Sequence, residues 1–256
     1  MYNISTYKLS FLRGTQEFVL KELQNKFPKV EIKSKNNNEI VFESSCEEIE
    51  AFKNLYSPTQ IENEKSIILN LSKREWRKEY VSAGINPSLA YIICDIAELR
   101  SEDIVYDPFC GASILPITAL KYFNVKRVIC SDISSKAIAK SKVNFETVDI
   151  PEEKYMIFKS DIKDVTLSKK NVDVIISNLP FGIRVGSHDE NLLSYVSLRN
   201  IAEKILRTKG KLVLLTQEKK LIREVFGKEH WKVKSMARVN AGGLLPEVFV
   251  IKRILK

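Results

Sequence analysis

Val172-Asp173-Val174-Ile175-Ile176-Ser177-Asn178-Leu179-Pro180-Phe181 is the stretch that decides the reading of this 256-residue chain. Its first six residues form a short, branched, apolar run, the pattern of a strand buried on both faces of a parallel sheet. The run then ends in Asn-x-Pro-aromatic. Such an ending puts three things at the carboxyl edge of a sheet: an amide oxygen that accepts hydrogen bonds, a stiff turn with open carbonyls, and a flat ring for stacking. Together they suit the exocyclic amine of a flipped nucleobase, held so that its lone pair points at an electrophile. Taken alone, the same four residues are equally an ordinary strand-to-loop turn.

The preceding segments supply further strand ends of matching kind. Asp103-Ile104-Val105-Tyr106 runs into Asp107-Pro108-Phe109-Cys110-Gly111-Ala112-Ser113, followed by a helical pattern from Ile114. Gly111 allows the backbone to approach a ligand closely as strand becomes helix, and Pro116 fits the first helical turn. The segment is neither a Gly-x-Gly-x-x-Gly fingerprint nor a Gly-Lys-Ser/Thr phosphate loop, so nothing in it points to NAD or ATP. Arg127 to Ser131 forms the next strand and ends at Asp132, placed as a second-strand acid would be to accept ribose hydroxyls. Met156 to Ser160 ends at Asp161, in position to take an adenine amino group.

In this order the motifs Asp-Pro-Phe-Cys-Gly, a ribose-binding acid, Ser-Asp and Asn-Leu-Pro-Phe-Gly resemble an S-adenosylmethionine-dependent methyltransferase of the amino-methylating kind. The nearest resemblance is to the RNA guanine-N2 methyltransferases, especially the THUMP-associated tRNA enzymes. Asn178 to Gly186 is its most specific stretch, because those enzymes continue the motif with Gly-x-Arg, here Gly182-Ile183-Arg184. The resemblance covers the chain from about Ile67 onward. It implies an α/β fold: a Rossmann-like class I methyltransferase with a seven-stranded, mostly parallel sheet, plus a small α+β N-terminal domain. The expected boundaries are 1–65 for a ferredoxin-like unit and 66–256 for the methyltransferase domain.

The resemblance also assigns roles. Asp107, Pro108 and Gly111 line the methionine and ribose side of S-adenosylmethionine. Asp132 and Ile133 hold its ribose side, Asp161 and Ile162 the adenine edge, and Asn178 borders both cofactor and target. Asn178, Leu179, Pro180 and Phe181 form the catalytic turn: the base stacks on Phe181 while Asn178 and the Leu179 carbonyl accept from its amino group. Arg184 contacts the base or a phosphate, or serves as a structural clamp. Asn86 and Ser88 border the cofactor in the related enzymes; as residues at a helix start they read slightly better as caps. His188 reads as a solvated loop residue.

Composition narrows the class without deciding it. No apolar run reaches membrane-spanning length, and Met1 to Thr6 lacks the blocks of a secretory signal. Cys46, Cys94, Cys110 and Cys130 are widely spaced, with only His188 and His230 as further soft ligands, so neither zinc nor a disulfide framework is expected, and a cytoplasmic setting is. The net charge of +9 is concentrated: residues 199–256 carry fifteen basic and five acidic side chains, while the rest of the chain is close to balanced. Lys219, Lys220, Arg223, Lys228, Lys232, Lys234 and Arg238 belong to that excess. It is what phosphate-backbone binding requires, and equally a lysine-rich solvated face.

The first 65 residues read as strand, helix, hairpin and second helix (Cys46 to Tyr56), similar to the element that precedes THUMP in the related enzymes. From Ser57-Pro58 the chain passes almost directly to Ile67, so the THUMP domain expected between them is missing, and RNA binding falls to the N-terminal unit, the basic C-terminal stretch or a partner protein. Downstream, helices at 192–206 and 219–226, a strand at 211–216 and a hairpin of 231–239 with 247–254 complete the doubly wound pattern. Other amine targets (adenine N6 in RNA or DNA, a protein glutamine amide) use similar turns, and a non-catalytic RNA-binding protein on the same fold is a further reading; Leu179 and the Gly-Ile-Arg extension lean to guanine in RNA, above all tRNA.

Overall fold

The computed structural model describes residues 4–45, 49–82, 84–181, 188–227 and 230–254; the side chains of His188 and Asp189 are outside that description, as are Cys46, Lys228 and the whole of Gly182 to Ser187. Two sheets organise the described chain. The first is antiparallel, in the order β2-β3-β1-β4-β5. It comprises β1 (Ser5–Ser10), β2 (Glu31–Lys35), β3 (Glu39–Ser44), β4 (Gln60–Asn63) and β5 (Ile68–Asn70), with α1 (Gln16–Lys26) on one face. Its last strand runs past the boundary set at 65/66. The second helix expected from Cys46 is a 3-10 turn over Ile49–Asn54. Ile49, Phe52 and Leu55 are buried at every third position, where a three-residue turn stacks them on one face. Ten residues separate Ser57 from Ile68, and they form β4 and its turn, so no domain is inserted there.

The second sheet has seven strands in the order β11-β12-β10-β9-β6-β7-β8. They are β6 (Ile104–Asp107), β7 (Arg127–Asp132), β8 (Tyr155–Lys159), β9 (Val172–Asn178), β10 (Leu206–Thr216), β11 (Trp231–Arg238) and β12 (Glu247–Arg253). Only β12 runs against its neighbours. The strand order reverses at β6, between β7 and β9, which opens a crevice at the carboxyl edge. This is the seven-stranded, Rossmann-like arrangement anticipated from the motifs.

Strand alternation sends side chains to two separate cores. On one face Val213, Leu215 and Val248 pack with α2 (Pro87–Ile96), α3 (Ile114–Phe123) and α4 (Ser135–Glu146). On the other, Leu212, Leu214, Phe249 and Ile251 pack with α5 (His188–Ile205) and α6 (Lys219–Phe226). Among the described residues no helix is long and apolar enough to cross a membrane.

The two sheets are tied closely. Gly14 has φ +91°, and a Cβ there would sit 1.8 Å from the Arg238 carbonyl oxygen, so only glycine lets the β1–α1 turn lie against β11. Ser88 Oγ donates to the Pro58 carbonyl at 2.8 Å and meets Ser72 Oγ at 2.9 Å. Asn240 N, beyond β11, donates to the Arg13 carbonyl at 3.0 Å. Lys21 pairs with Asp95 at 3.0 Å.

Candidate active site at the carboxyl edge of the large sheet

Four chain segments meet where β6, β7, β8 and β9 end. β6 delivers Asp107, 2% exposed, and its carboxylate oxygen Oδ1 accepts from Ser177 Oγ at 2.6 Å and from Phe109 N at 3.1 Å. Ser177 is the residue before Asn178, so one hydrogen bond joins the two motifs that stand 70 positions apart. Burial pushes the Asp107 carboxyl up to about 7, helped by the charge of Asp132; the bonds from Ser177 and Phe109 oppose that rise.

The loop after β6 is shaped by a left-handed backbone at Gly111 (φ +55°). Its amide donates to Asp132 Oδ2 at 2.9 Å, while Asp132 Oδ1 accepts from Ser134 N at 2.9 Å. A carboxylate offers about four lone-pair positions. Two are therefore taken, and two remain to receive a pair of hydroxyls. Beside it Ile133 is 63% exposed, an apolar side chain standing free next to a polar ligand position. Pro108 is buried behind the loop.

Asp161 follows β8 and caps a 3-10 turn over Ile162–Asp164 by accepting from Lys163 N at 3.1 Å; it also pairs with Lys163 Nζ at 3.3 Å. Ile162 is 6% exposed and belongs to the core on the α5 face, which leaves its backbone rather than its side chain at the edge.

The turn after β9 is held from within. Leu179 is buried, and its amide donates to the Leu215 carbonyl at 3.0 Å. Glu218 N donates to Thr216 Oγ1 at 2.9 Å, Thr216 Oγ1 lies 2.7 Å from the Tyr195 hydroxyl, and Tyr195 donates to the Pro180 carbonyl at 3.0 Å. Because Tyr195 gives its one proton to Pro180, the proton between the hydroxyls belongs to Thr216. The chain has a single direction, from α6 to the turn. It turns the Pro180 carbonyl inward, while no such bond holds the Leu179 carbonyl among those described. Phe181 is half-buried, with its ring against the core on the α2 face. Arg184 lies outside the described residues.

Ser177, Tyr195 and Thr216 escaped the sequence reading, as did a wall of the site formed by the segment leading to α2. Asn144 on α4 accepts from Lys78 N and Glu79 N, each at 2.9 Å, and donates to the carbonyls of Glu79 and Ala112. Thr147 Oγ1 donates to the Trp76 carbonyl at 2.6 Å. This clamp brings Val81 over the Gly111 loop, where a Cβ on Gly111 would lie 3.2 Å from Val81 Cγ2. Asn86 and Ser88 are engaged locally. Asn86 caps α2, accepting from Ser88 N at 2.8 Å, and Ser88 is turned to Pro58.

The arrangement is a crevice with an open-faced carboxylate, a glycine loop, an exposed apolar side chain and an amide-bearing turn beside a second, buried carboxylate. Comparison with known proteins places the chain in a family. Residues 74–247 match the family described as RMKL-like, methyltransferase domain. The chain is 26% identical over 217 residues to the tRNA (guanine(6)-N(2))-methyltransferase THUMP3 of Mus musculus, across 75% of this chain and 41% of that protein. It is 24% identical over 217 residues to the tRNA (guanine(6)-N2)-methyltransferase of Methanocaldococcus jannaschii, across 71% of this chain and 57% of that protein. It thus spans less than two thirds of the length of these curated relatives. The solved structure of TrmN from Thermus thermophilus shares the fold with a TM-score of 0.82, covering 98% of this chain and 100% of that one at 14% identity.

Proposed function

The chain belongs to the RMKL-like methyltransferase-domain family, and on that footing we propose that it methylates the exocyclic amine of a base in RNA, guanine N2 in tRNA, using S-adenosylmethionine. The observation that carries the reading is the Asn178–Phe181 turn standing beside Asp107 and Asp132 at one sheet edge, joined to Asp107 through Ser177. The guanine-N2 activity of the relatives supports guanine and its N2 atom.

The residues present fit the cofactor. The two open positions on Asp132 suit its ribose hydroxyls, Ile133 its adenine face, Asp161 the adenine amino group, and the Gly111 loop a closely approaching chain. Asp107, which gains most from a cationic neighbour because it is buried, suits the methionine ammonium. When bound, S-adenosylmethionine supplies a methyl group on a sulfonium leaving group.

The protein's own work is then positioning. Asn178 and the Leu179 carbonyl accept the two protons of the target amine and so fix where its lone pair points. Those acceptors strengthen their hold as the nitrogen becomes positive in the transition state. Phe181 takes the base by stacking. The methylated ammonium is acidic enough to lose its proton to water, so the turn needs no strong base. On this reading the enzyme works in the cytoplasm, where its RNA substrate is.

The test is transfer of radiolabelled methyl from S-adenosylmethionine to total tRNA, ribosomal RNA, DNA and protein, with nucleoside analysis of labelled fractions. Label in N2-methylguanosine is the expected result. Label in N6-methyladenosine would keep the fold and overturn the base. Cofactor binding without labelling of any fraction would overturn the chain's acting alone and direct the search to a partner protein.

A further inference from the structure

The basic excess of the last quarter is divided between the two faces of the large sheet. Lys219, Lys220 and Arg223 ride on α6, and Lys219 is already paired with Glu247 at 2.9 Å. On the opposite face the strand register produces a different feature. Lys211 of β10 lies directly across from Lys252 of β12, and Lys252 lies directly across from Lys232 of β11. Cross-strand partners project to the same side, so three lysines stand in one row over three adjacent strands. Lys234, two residues along β11, joins them on that side. Lys232, Lys234 and Lys252 are exposed, and no ion pair engages them among the described residues. Lys211, at the inner end of the row, is half-buried and pairs with Glu98 at 3.4 Å. Burial and the like charge of Lys252 push its ammonium down against the pull of Glu98 and Asp103.

Like charges placed opposite one another weaken a sheet. Lysines on an edge strand have an ordinary use, since they discourage edge-to-edge pairing. That accounts for Lys232 and Lys234 on β11 and leaves Lys252 and Lys211, which lie on interior strands. A row that costs folding stability and continues inward from the edge is matched by an external anion with regularly spaced charges.

We propose that Lys232, Lys234, Lys252 and Lys211 form a grip for the phosphate backbone of the RNA substrate, at a distance from the base being methylated. The proposal rests on the RNA reading above. Lys211 lies four residues before Leu215, the partner of Asn178, so the grip is set back from the reactive turn by about 13 Å along the strands. Phosphates held there position the RNA without reading its sequence, while the turn selects the base.

The experiment compares the full-length protein with the variant K232Q/K234Q/K252Q, and with K121Q/K126Q/K142Q as a control of equal charge loss on other surfaces. Binding of bulk tRNA is measured from low to moderate salt, alongside affinity for S-adenosylhomocysteine. The row variant is expected to bind tRNA roughly tenfold more weakly near physiological salt. The slope of log affinity against log salt should flatten by about two, as expected for roughly two to three lost phosphate contacts. Its cofactor affinity should match that of wild type, the control should bind tRNA like wild type, and K232R/K234R/K252R should restore the loss. Equal tRNA affinity and slope in the row variant, with wild type still binding and methylating tRNA, would overturn the grip and leave the function standing. An equal loss in the control would also overturn it, since net charge would then suffice. Wild type that binds no RNA would overturn both.

Discussion

The Tyr195 hydroxyl donates to the Pro180 carbonyl across 3.0 Å, from a side chain wholly buried beneath the Asn178–Phe181 turn. The turn therefore takes its shape from the core. Tyr195→Phe keeps the ring and removes the proton, leaving the part-buried Pro180 carbonyl and the buried Thr216 hydroxyl short of a partner at about 1–3 kcal/mol. Small misplacements near reacting atoms are expensive in rate, so kcat should fall by roughly tenfold or more while affinity for S-adenosylhomocysteine holds. Steady-state kinetics with parallel calorimetry reads both; a matching drop in cofactor affinity would show that the bond supports the whole crevice instead.

Asn178→Ala removes the proposed acceptor of the target amine and leaves Asp107 and Asp132 in place. Methyl transfer should drop by about 10²–10³-fold, the usual cost of one preorganised polar group at a reacting centre. Cofactor affinity should change little. Loss of both together would mark Asn178 as a structural residue.

Asp132→Ala attacks the other substrate. Gly111 N and Ser134 N would lose their acceptor, and the ribose positions would vanish. The expected pattern is the reverse of that for Asn178: a KM for S-adenosylmethionine raised roughly tenfold or more, with kcat partly recovered at saturation.

Asp107 gives a pH signature. Its folded value, raised to about 7, exceeds the unfolded value near 3.9. Between roughly pH 4 and 7 the folded chain thus holds a proton that the unfolded chain has lost, and this group's contribution to stability falls as pH rises through that window. Asp107→Asn should flatten that part of a denaturation series. Affinity for S-adenosylhomocysteine should climb through pH 7 in wild type, as the carboxylate that meets its ammonium ionises, and be flat in the variant. A wild-type affinity independent of pH from 6 to 8 would exclude this contact.

Asn144→Ala should cost about 3 kcal/mol or more, because two backbone amides and two carbonyls lose their partner together. Urea denaturation measures the loss. Cofactor affinity should fall with it, since the clamped segment carries Val81 to the Gly111 loop; unchanged affinity would detach that segment from the site.

The large sheet was legible in the sequence because its central strands β6, β7 and β9 are buried on both faces and so appear as largely apolar runs, ending at the conspicuous polar residues Asp107, Asp132 and Asn178. Asp161 follows the half-exposed edge strand β8 and was legible from its place after that strand. The residues that hold those ends were not. Ser177, Tyr195 and Thr216 are common polar types whose meaning comes from partners across the fold, and Asn144 looks like any amide in a helix until Lys78 and Glu79 are beside it. Ile162 follows an acid as Ile133 does, yet one is committed to the core and the other stands exposed, because a 3-10 turn folds the first under α5. The basic C-terminal quarter looked like one patch in the linear chain. Strand register and helix placement split it, and only the register could put three lysines in a row.

The joint between the two sheets has a consequence for how RNA would be measured. Pro58 is bonded to Ser88, Lys21 is paired with Asp95, and Gly14 lies backbone to backbone against Arg238. With so many short ties at several points, the N-terminal unit works as a fixed jig, not an arm on a pivot. Any nucleotide span between a surface on that unit and the crevice is then set by the casting of the protein, and an RNA stem one step too long would miss register by a whole nucleotide rather than be reeled in.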